Sequence, residues 1–178
     1  MRDVLSPFSY VILTLVGRGG ASAHDIVGMM RNGRAYWAAA ESHYYGEPKR
    51  LEQLGYLSVE TAPGKTTPRR VYSLTRRGEE ALREWIAQPS GFPRIQSEAT
   101  VRVLAAEFTD PPTLLASLVA LRSDLDEVDA ELAQNLERAS SLPHRSQSIR
   151  LVTDLGRRVV QAHREWLDAV ELELGRPR

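Results

Sequence analysis

The chain has 178 residues, of which 42% are hydrophobic and 26% are charged, and its formal net charge is zero. This composition is that of a globular protein rather than a disordered one, and the length suffices for one ordinary domain or two small ones. The sequence has no cysteine, which excludes disulfides and thiolate metal sites. No apolar run reaches the roughly 18 residues of a membrane span, and the N-terminal apolar patch lacks a cleavage site, so we expect a cytoplasmic chain without membrane contact.

Two helices are predicted at the start of the chain. Ser6 followed by Pro7 is typical of a helix N-terminus, since serine caps helices and proline is tolerated at the first helical position. The apolar run that follows predicts a buried helix, which stops at the glycines of GRGG. Ser22 with Asp25 three residues later predicts the start of the second helix, and Asn32-Gly33 predicts its end.

Residues 42–57, SHYYGEPKRLEQLGYL, have the apolar period of a helix but contain both Gly46 and Pro48. A proline inside a helix removes a hydrogen bond and costs about 3 kcal/mol. Tyr44, Pro48 and Leu51 nevertheless share one side at 100° per residue, which predicts one kinked helix with the proline ring on its buried face. The alternative is a loop at Gly46 and a short helix that starts near Pro48.

A basic hairpin and a further helix are predicted next. Residues 56–61 and 70–75 are β-like, and the loop between them is rich in turn residues. Residues 61–78 contain no acid, and their cations are Lys65, Arg69, Arg70, Arg76 and Arg77. Thr75 predicts the cap of a helix whose inward residues are Ala81, Leu82, Trp85 and Ile86. Residues 89–96 are interpreted as a linker.

The rest of the chain, residues 97–178, is helical in pattern. The apolar face of a short helix at 98–108 consists of Val101, Leu104, Ala105 and Phe108. A long helix begins at Asp110, and another follows Pro143, with a heptad seam of Val152, Leu155, Val159, Ala162, Trp166 and Val170. Such seams predict helix-on-helix packing, and an intramolecular pair and a dimer interface both satisfy them. The predicted dimerisation residues are Leu114, Leu118, Leu121, Leu125, Val128, Leu155, Val159 and Trp166.

The order of three helices, a hairpin and a helix is that of a winged helix-turn-helix domain. In such a domain the third helix enters the major groove of DNA and the hairpin tip lies on the phosphate backbone. We therefore predict a mainly α fold of the α+β type. Its parts are a winged helix-turn-helix domain at 1–88, a linker at 89–96 and an α-helical dimerisation domain at 97–178.

Two motifs in this region resemble those of a known family. The first is met by Tyr45, Pro48, Lys49, Arg50, Leu51, Glu52, Gly55, Tyr56 and Leu57. The second is met by Arg70, Tyr72, Leu74, Thr75 and Gly78. Over residues 5–88 the chain resembles the phenolic acid decarboxylase regulator (PadR) family of bacterial transcription factors, which are mostly repressors. The later helices resemble the longer class of that family in pattern only.

The resemblance implies a homodimer that binds a palindromic operator in double-stranded DNA. It also implies DNA contacts from the third helix and from the cations of the hairpin. Some members of the family bind aromatic or drug-like ligands near the dimer centre, so a small aromatic effector is a further partner that the resemblance suggests.

The residues that we predict to contact DNA lie on the outer side of the third helix and on the hairpin. Cations there suit phosphates, polar residues near the helix start suit base edges, and a glycine allows backbone to approach DNA closely. The predicted contacts are Ser42, His43, Tyr45, Gly46, Lys49, Arg50, Lys65, Thr66, Arg69 and Arg70. The alternative interpretation is that the cations are ordinary solvated side chains and that Ser42 and His43 only cap the helix.

Catalytic and metal-binding patterns are not found in the sequence. The four histidines lack metal-ligand spacing, and neither a phosphate-binding glycine loop nor a nucleophile–histidine arrangement is present. We therefore predict a protein that is not an enzyme and has no cofactor. Trp37, Trp85 and Trp166 are interpreted as core or interface residues. The alternative function is a winged-helix interaction module, or a ligand sensor without direct DNA binding.

Overall fold

The computed structural model describes residues 5–31, 37, 39–63, 68–93, 95–140 and 142–175. The chain divides into two compact units, Met1–Phe92 and Pro93–Arg178. The described residues are mainly helical with one small sheet, as the sequence predicts. Among the helices that the structure describes, none is both long and apolar enough to span a membrane.

The first unit contains helices on a small antiparallel sheet. Its helices are α1 (Pro7–Val16), α2 (Ala23–Arg31), α3 (Glu41–Gln53) and α4 (Arg76–Ile86), and its strands are β1 (Ala21–Ser22), β2 (Leu57–Ala62) and β3 (Arg69–Leu74). The strand order is β1-β3-β2, with Ala21 opposite Tyr72 and Leu57 opposite Leu74. The predicted hairpin is confirmed. Strand β1 is not apparent in the sequence, because two residues are too few to show alternation.

The helix starts in this unit follow the predicted caps. The Ser6 side chain accepts from the backbone N–H of Ser9, and the Ser9 side chain accepts in return from the N–H of Ser6. Asp25 accepts from both the backbone and the hydroxyl of Ser22. Helix α1 ends at Val16 and is capped by Gly17, whose φ of 49° suits glycine. The predicted end of the second helix, Asn32-Gly33, lies outside the described residues.

The core of the first unit joins all of its elements. Its buried side chains include Ile12, Leu13, Ile26, Leu51, Leu57 and Tyr72. Ala81 and Leu82 pack against this core from α4, as predicted. Trp85 and Ile86 do not face inward as predicted, since they are 39% and 70% exposed. They lie in the last turn of α4, and Trp85 instead stacks on the Tyr10 ring, with centroids 4.8 Å apart and planes at 7°.

The second unit is built on two long helices. Its elements are α5 (Glu98–Leu104), a 3₁₀ turn (Ala106–Phe108), α6 (Pro111–Ala139) and α7 (Pro143–Leu174). Asp110 caps α6 by accepting from the N–H of Thr113 at 2.9 Å. The core between α6 and α7 contains Leu118, Leu125, Leu132, Val160, Leu167 and Val170. Ion pairs border it, with Arg122 2.7 Å from Asp168.

The short helix predicted at 98–108 is shorter in the structure. Helix α5 ends at Leu104 and is followed by the 3₁₀ turn, which breaks the 3.6-residue period. The residues of the predicted face are exposed in the chain: Val101, Leu104, Ala105 and Phe108. Ala99 and Val103 pack against the core of the unit instead.

The first half of the predicted seam of α7 does not pack within the chain, which leaves the dimer interface as its remaining interpretation. Val152, Leu155 and Val159 are exposed, and Leu155 is 60% exposed. Helix α7 buries a neighbouring stripe, which begins with Thr153, Gly156 and Val160. Both stripes recur at steps of three and four residues, so the spacing alone does not distinguish them. Counting large apolar residues selects the exposed stripe, because the buried one begins with small residues.

Candidate nucleic-acid interface

Helix α3 is continuous through its proline. It runs from Glu41 to Gln53, and Pro48 is almost completely buried beside Tyr44 and Leu51 on the inner face. The prediction of one helix with the ring on the buried face is confirmed, and the alternative start near Pro48 is wrong. The proline therefore acts as an apolar core residue, and the kink at this position stays a prediction.

The C-terminus of α3 is fixed by a glycine turn and by an arginine. Gly55 has a φ of 76°, and the N–H groups of Gly55 and Tyr56 donate to the carbonyls of Glu52 and Leu51, each at 2.9 Å. This is the Schellman arrangement, in which glycine takes the left-handed position. The Arg77 guanidinium donates to the Leu54 carbonyl at 2.7 Å and lies 4.3 Å from the Tyr56 ring centroid. Arg77 thus supports the helix end.

The outer face of α3 is a surface of polar and basic side chains. We call it the outer α3 face and define it by its exposed members Ser42, His43, Tyr45, Gly46 and Lys49. Ser42 does not cap the helix, because the N-cap is Ala40. A Cβ built on Gly46 would meet open space, so packing within the described chain does not require this glycine. The arrangement leaves room for a partner to approach the helix backbone at Gly46.

Arg50 is placed differently from Lys49. Its guanidinium donates to both carboxylate oxygens of Glu47, at 2.9 and 2.6 Å, and to the Ser9 hydroxyl at 3.1 Å. Ser9 in turn donates to Glu47 at 2.7 Å. Arg50 therefore belongs to an ionic network between α3 and α1. No ion pair of Lys49 is found among the described residues.

The carboxylate of Glu47 is the centre of that network. Its side chain is only 14% exposed, and burial by itself raises its pKa. The hydrogen bonds from Arg50 and Ser9 and the charge of Arg50 outweigh this effect, so the pKa of Glu47 lies below its usual value. Glu47 is therefore ionised at neutral pH and compensates the charge of Arg50.

The predicted cations of the hairpin are paired with acids on the neighbouring helices. Arg70 lies 2.5 Å from Glu52 of α3, with its guanidinium carbon 5.9 Å from the centroid of the Tyr72 ring. Arg69 lies 3.6 Å from Asp25 of α2. Of the remaining predicted hairpin contacts, Lys65 and Thr66 lie outside the described residues. Asp25 and Glu52 are not recognisable as partners in the sequence, because they are distant in the chain from the arginines with which they pair.

An open cleft lies beside the start of α3. Its volume is about 640 Å³, and its lining includes Phe8, Trp37, His43 and Glu47. The rings of Phe8 and His43 meet edge to face, with centroids 6.0 Å apart. Histidines, aspartates and glutamates of the described ranges form no group that could hold a metal ion.

Comparisons with known proteins identify relatives of this fold. No protein-family model matches the chain. Over 86 residues the chain is 29% identical to the negative transcriptional regulator PadR of Bacillus subtilis (strain 168). The matched residues make up 47% of this chain and 47% of that protein. The chain thus matches about half the length of this curated relative.

Solved structures extend the similarity of fold to almost the whole chain. Bacillus subtilis PadR in complex with operator DNA has a TM-score of 0.82 at 18% identity, covering 97% of this chain and 99% of that one. The PadR-like transcriptional regulator BC1756 from Bacillus cereus has a TM-score of 0.79 at 18% identity, covering 94% and 97%. The same Bacillus subtilis PadR with p-coumaric acid has a TM-score of 0.70 at 19% identity, covering 95% and 99%. The predicted winged-helix fold and its resemblance to PadR are confirmed.

Proposed function

We propose that this PadR-like chain is a sequence-specific DNA-binding regulator of transcription, a repressor that binds a palindromic operator as a homodimer. The observation that carries the proposal is the outer α3 face, which is exposed, polar and basic on a helix whose opposite side is buried. Bacillus subtilis PadR, which has the same fold, was crystallised with operator DNA. The protein acts as a binding protein rather than an enzyme, in the cytoplasm, where its operator is accessible.

The chemistry of the outer α3 face matches the major groove. Residues near the N-terminus of a recognition helix meet base edges, and cations further along meet phosphates. Ser42 and His43 lie near the N-terminus of α3, and Lys49 lies further along the helix. Tyr45 lies between these two parts. Gly46 allows the DNA backbone or a base edge to come close to the helix. In this proposal Lys49 is a phosphate contact, and Ser42 and His43 contribute to sequence readout.

Homodimerisation is supported by the exposed apolar stripe of α7. Val152, Leu155 and Val159 project from a helix whose other stripe is already buried. An exposed apolar stripe on a long helix is typical of an interaction surface. A second copy would bring two α3 helices to half-sites about 34 Å apart, one turn of DNA. Leu118 and Leu125, also predicted as dimer contacts, are buried between α6 and α7 of one chain, so their dimer role is not retained in the proposal.

A small aromatic effector completes the proposal. The structural relative Bacillus subtilis PadR was crystallised with p-coumaric acid. We propose that an aromatic acid of this kind releases the chain from its operator. Quenching of tryptophan fluorescence on titration with p-coumaric acid tests the binding, and loss of the DNA complex at the same concentrations tests the release.

Fluorescence anisotropy tests the central proposal. A labelled fragment from upstream of the gene is titrated with the purified protein at two salt concentrations, with unrelated DNA as competitor. We expect binding that resists the competitor and weakens steeply with salt, because phosphate contacts release counterions. Genome fragments selected for binding extend the test to distant operators. Failure to select any preferred fragment would contradict the proposal and favour a protein-interaction module.

A further inference from the structure

Arg50 differs from Lys49, the adjacent cation of α3, because one of its hydrogen bonds leads to the neighbouring helix. Ser9, its partner on α1, is completely buried. The same hydroxyl accepts from the backbone N–H of Ser6 at 3.0 Å and donates to Glu47 at 2.7 Å. The start of α1 and the middle of α3 are thereby linked through this buried hydroxyl, in addition to the contact between the rings of Phe8 and His43. We call Ser9, Glu47 and Arg50 the α1–α3 network.

We propose that Arg50 is a positioning residue that sets the orientation of α3 through the α1–α3 network, and that it does not itself bind a DNA phosphate. This inference rests on the proposed function and deepens it. It replaces the sequence-based prediction that Arg50 contacts DNA. It follows that operator specificity depends on the contact between α3 and α1, which lies on the side of α3 that packs against the rest of the unit.

The geometry of Arg50 supports this role. A planar guanidinium binds a carboxylate through two parallel hydrogen bonds, and Arg50 does so with Glu47, at 2.9 and 2.6 Å. A lysine offers no such fork, so it does not reproduce the arrangement. The third hydrogen bond, to Ser9, fixes the pair against α1. Rotation of α3 about its axis would break at least one of these contacts.

The charge balance of the network supports it as well. The carboxylate of Glu47 lies against the Arg50 guanidinium, so the pair adds little net charge to the surface. Each phosphate that is neutralised contributes about 0.9 to the slope of log K against log salt concentration. We expect Lys49 to contribute such a term and Arg50 to contribute almost none.

The test compares three variants with a matched control on the neighbouring residue. Arg50→Gln removes the charge, Arg50→Lys keeps the charge without the fork, and Ser9→Ala removes only the buried hydroxyl. Lys49→Gln is the control. Affinity for the operator and for unrelated DNA is measured at four salt concentrations, and thermal unfolding identifies the temperature range in which every variant is folded.

We expect all three variants of the network to lower operator affinity by about tenfold, which is the size of a lost charged hydrogen bond. Arg50→Lys and Ser9→Ala keep the net charge of the network, so their affinity for unrelated DNA and their salt slopes should stay at the wild-type values. Lys49→Gln should lower the slope by about one and weaken binding to both DNAs. Arg50→Lys distinguishes the two roles. If Arg50 is a positioning residue, this variant binds the operator as weakly as Arg50→Gln does. If Arg50 is a phosphate contact, the variant binds the operator as tightly as the wild type does.

Two results would overturn the inference. Wild-type operator affinity in Arg50→Lys, together with a salt slope lowered by about one in Arg50→Gln, would make Arg50 a phosphate contact. An unchanged operator preference in Ser9→Ala would remove the link to α1. Failure of the proposed function is recognised separately, because it appears in the wild-type protein as equal affinity for every DNA.

Discussion

The Cα atom of Gly78 lies against the carbonyl oxygen of Tyr56, and a methyl group on Gly78 would overlap that oxygen. The same carbonyl accepts from the backbone N–H and the hydroxyl of Thr75, each at 3.1 Å. The start of α4 is thus held against the chain segment that leaves α3. Gly78 belongs to the family motif, and close approach of two backbones explains its presence there.

Gly78→Ala should therefore destabilise the first unit. Overpacking costs about 1–3 kcal/mol, which exceeds the gain of up to about 1 kcal/mol from replacing glycine by alanine in a helix. We expect a net loss of about 1–2 kcal/mol in the free energy of unfolding, measured by urea denaturation. A variant as stable as the wild type would show that the α4 start is free to shift.

Gly46→Ala should have the opposite effect on stability. Gly46 is helical, exposed and surrounded by open space, so alanine should stabilise α3 by up to about 1 kcal/mol. If DNA approaches the backbone at this position, the methyl group should weaken operator binding at the same time. Urea denaturation and anisotropy on one protein preparation measure both effects. Unchanged operator affinity would remove Gly46 from the interface.

The sequence predicted those features that depend on neighbouring residues. The caps at Ser6 and Thr75 and the buried ring of Pro48 were predicted, because each is specified within about one helical turn. The ionic partners of the charged residues were not predicted. Arg70 and Glu52 are 18 positions apart, and only the packing of β3 beside α3 brings them together. The packing of the elements therefore determines which cations of the candidate interface are paired with acids.

Acidic pH should weaken the α1–α3 network. The pKa of Glu47 in the folded protein lies below its ordinary value of 4.5. The unfolded state therefore takes up a proton first, so the contribution of Glu47 is fully present above pH 4.5 and is lost as the pH falls through the folded pKa. We expect Glu47→Gln to be less stable than the wild type by about 1–2 kcal/mol at pH 7.

Urea denaturation at pH 7, 5 and 3 measures this difference. It should be the same at pH 7 and pH 5 and should shrink at pH 3. Glu60→Gln, at an exposed position of β2, is the matched control and should show little difference at pH 7. A Glu47→Gln effect that does not change with pH would mean that the side-chain shape matters and its charge does not.

Two leucines of α7 should separate assembly from folding. Leu155 lies on the exposed stripe, whereas Leu167 is buried against α6. Leu155→Glu should leave the second unit folded and convert the proposed dimer into monomers, because a charge on an apolar interface is poorly solvated. Leu167→Glu should unfold the unit. Sedimentation velocity and circular dichroism distinguish these outcomes, and a dimeric Leu155→Glu protein would place the interface elsewhere.

Arg70 should respond to DNA differently from Arg50. Its pair with Glu52 is half-exposed, and within the described ranges no hydrogen bond from a buried side chain supports the pair as Ser9 supports Arg50. Exposed pairs of this kind contribute about 0–1 kcal/mol, so a phosphate can compete for the arginine. We expect Arg70→Gln to lower the salt slope of DNA binding by about one.

Glu52→Gln examines the same pair from the other side. With the acid removed, Arg70 becomes available to phosphates without competition, so affinity for unrelated DNA should rise and operator preference should fall. The double variant with both substitutions should behave like Arg70→Gln alone, because the effect of Glu52 passes through Arg70. A Glu52→Gln effect that persists in the double variant would instead mean that Glu52 repels DNA directly. The pair of Arg70 and Glu52 would then hold the hairpin against α3 without changing the affinity of Arg70 for phosphate.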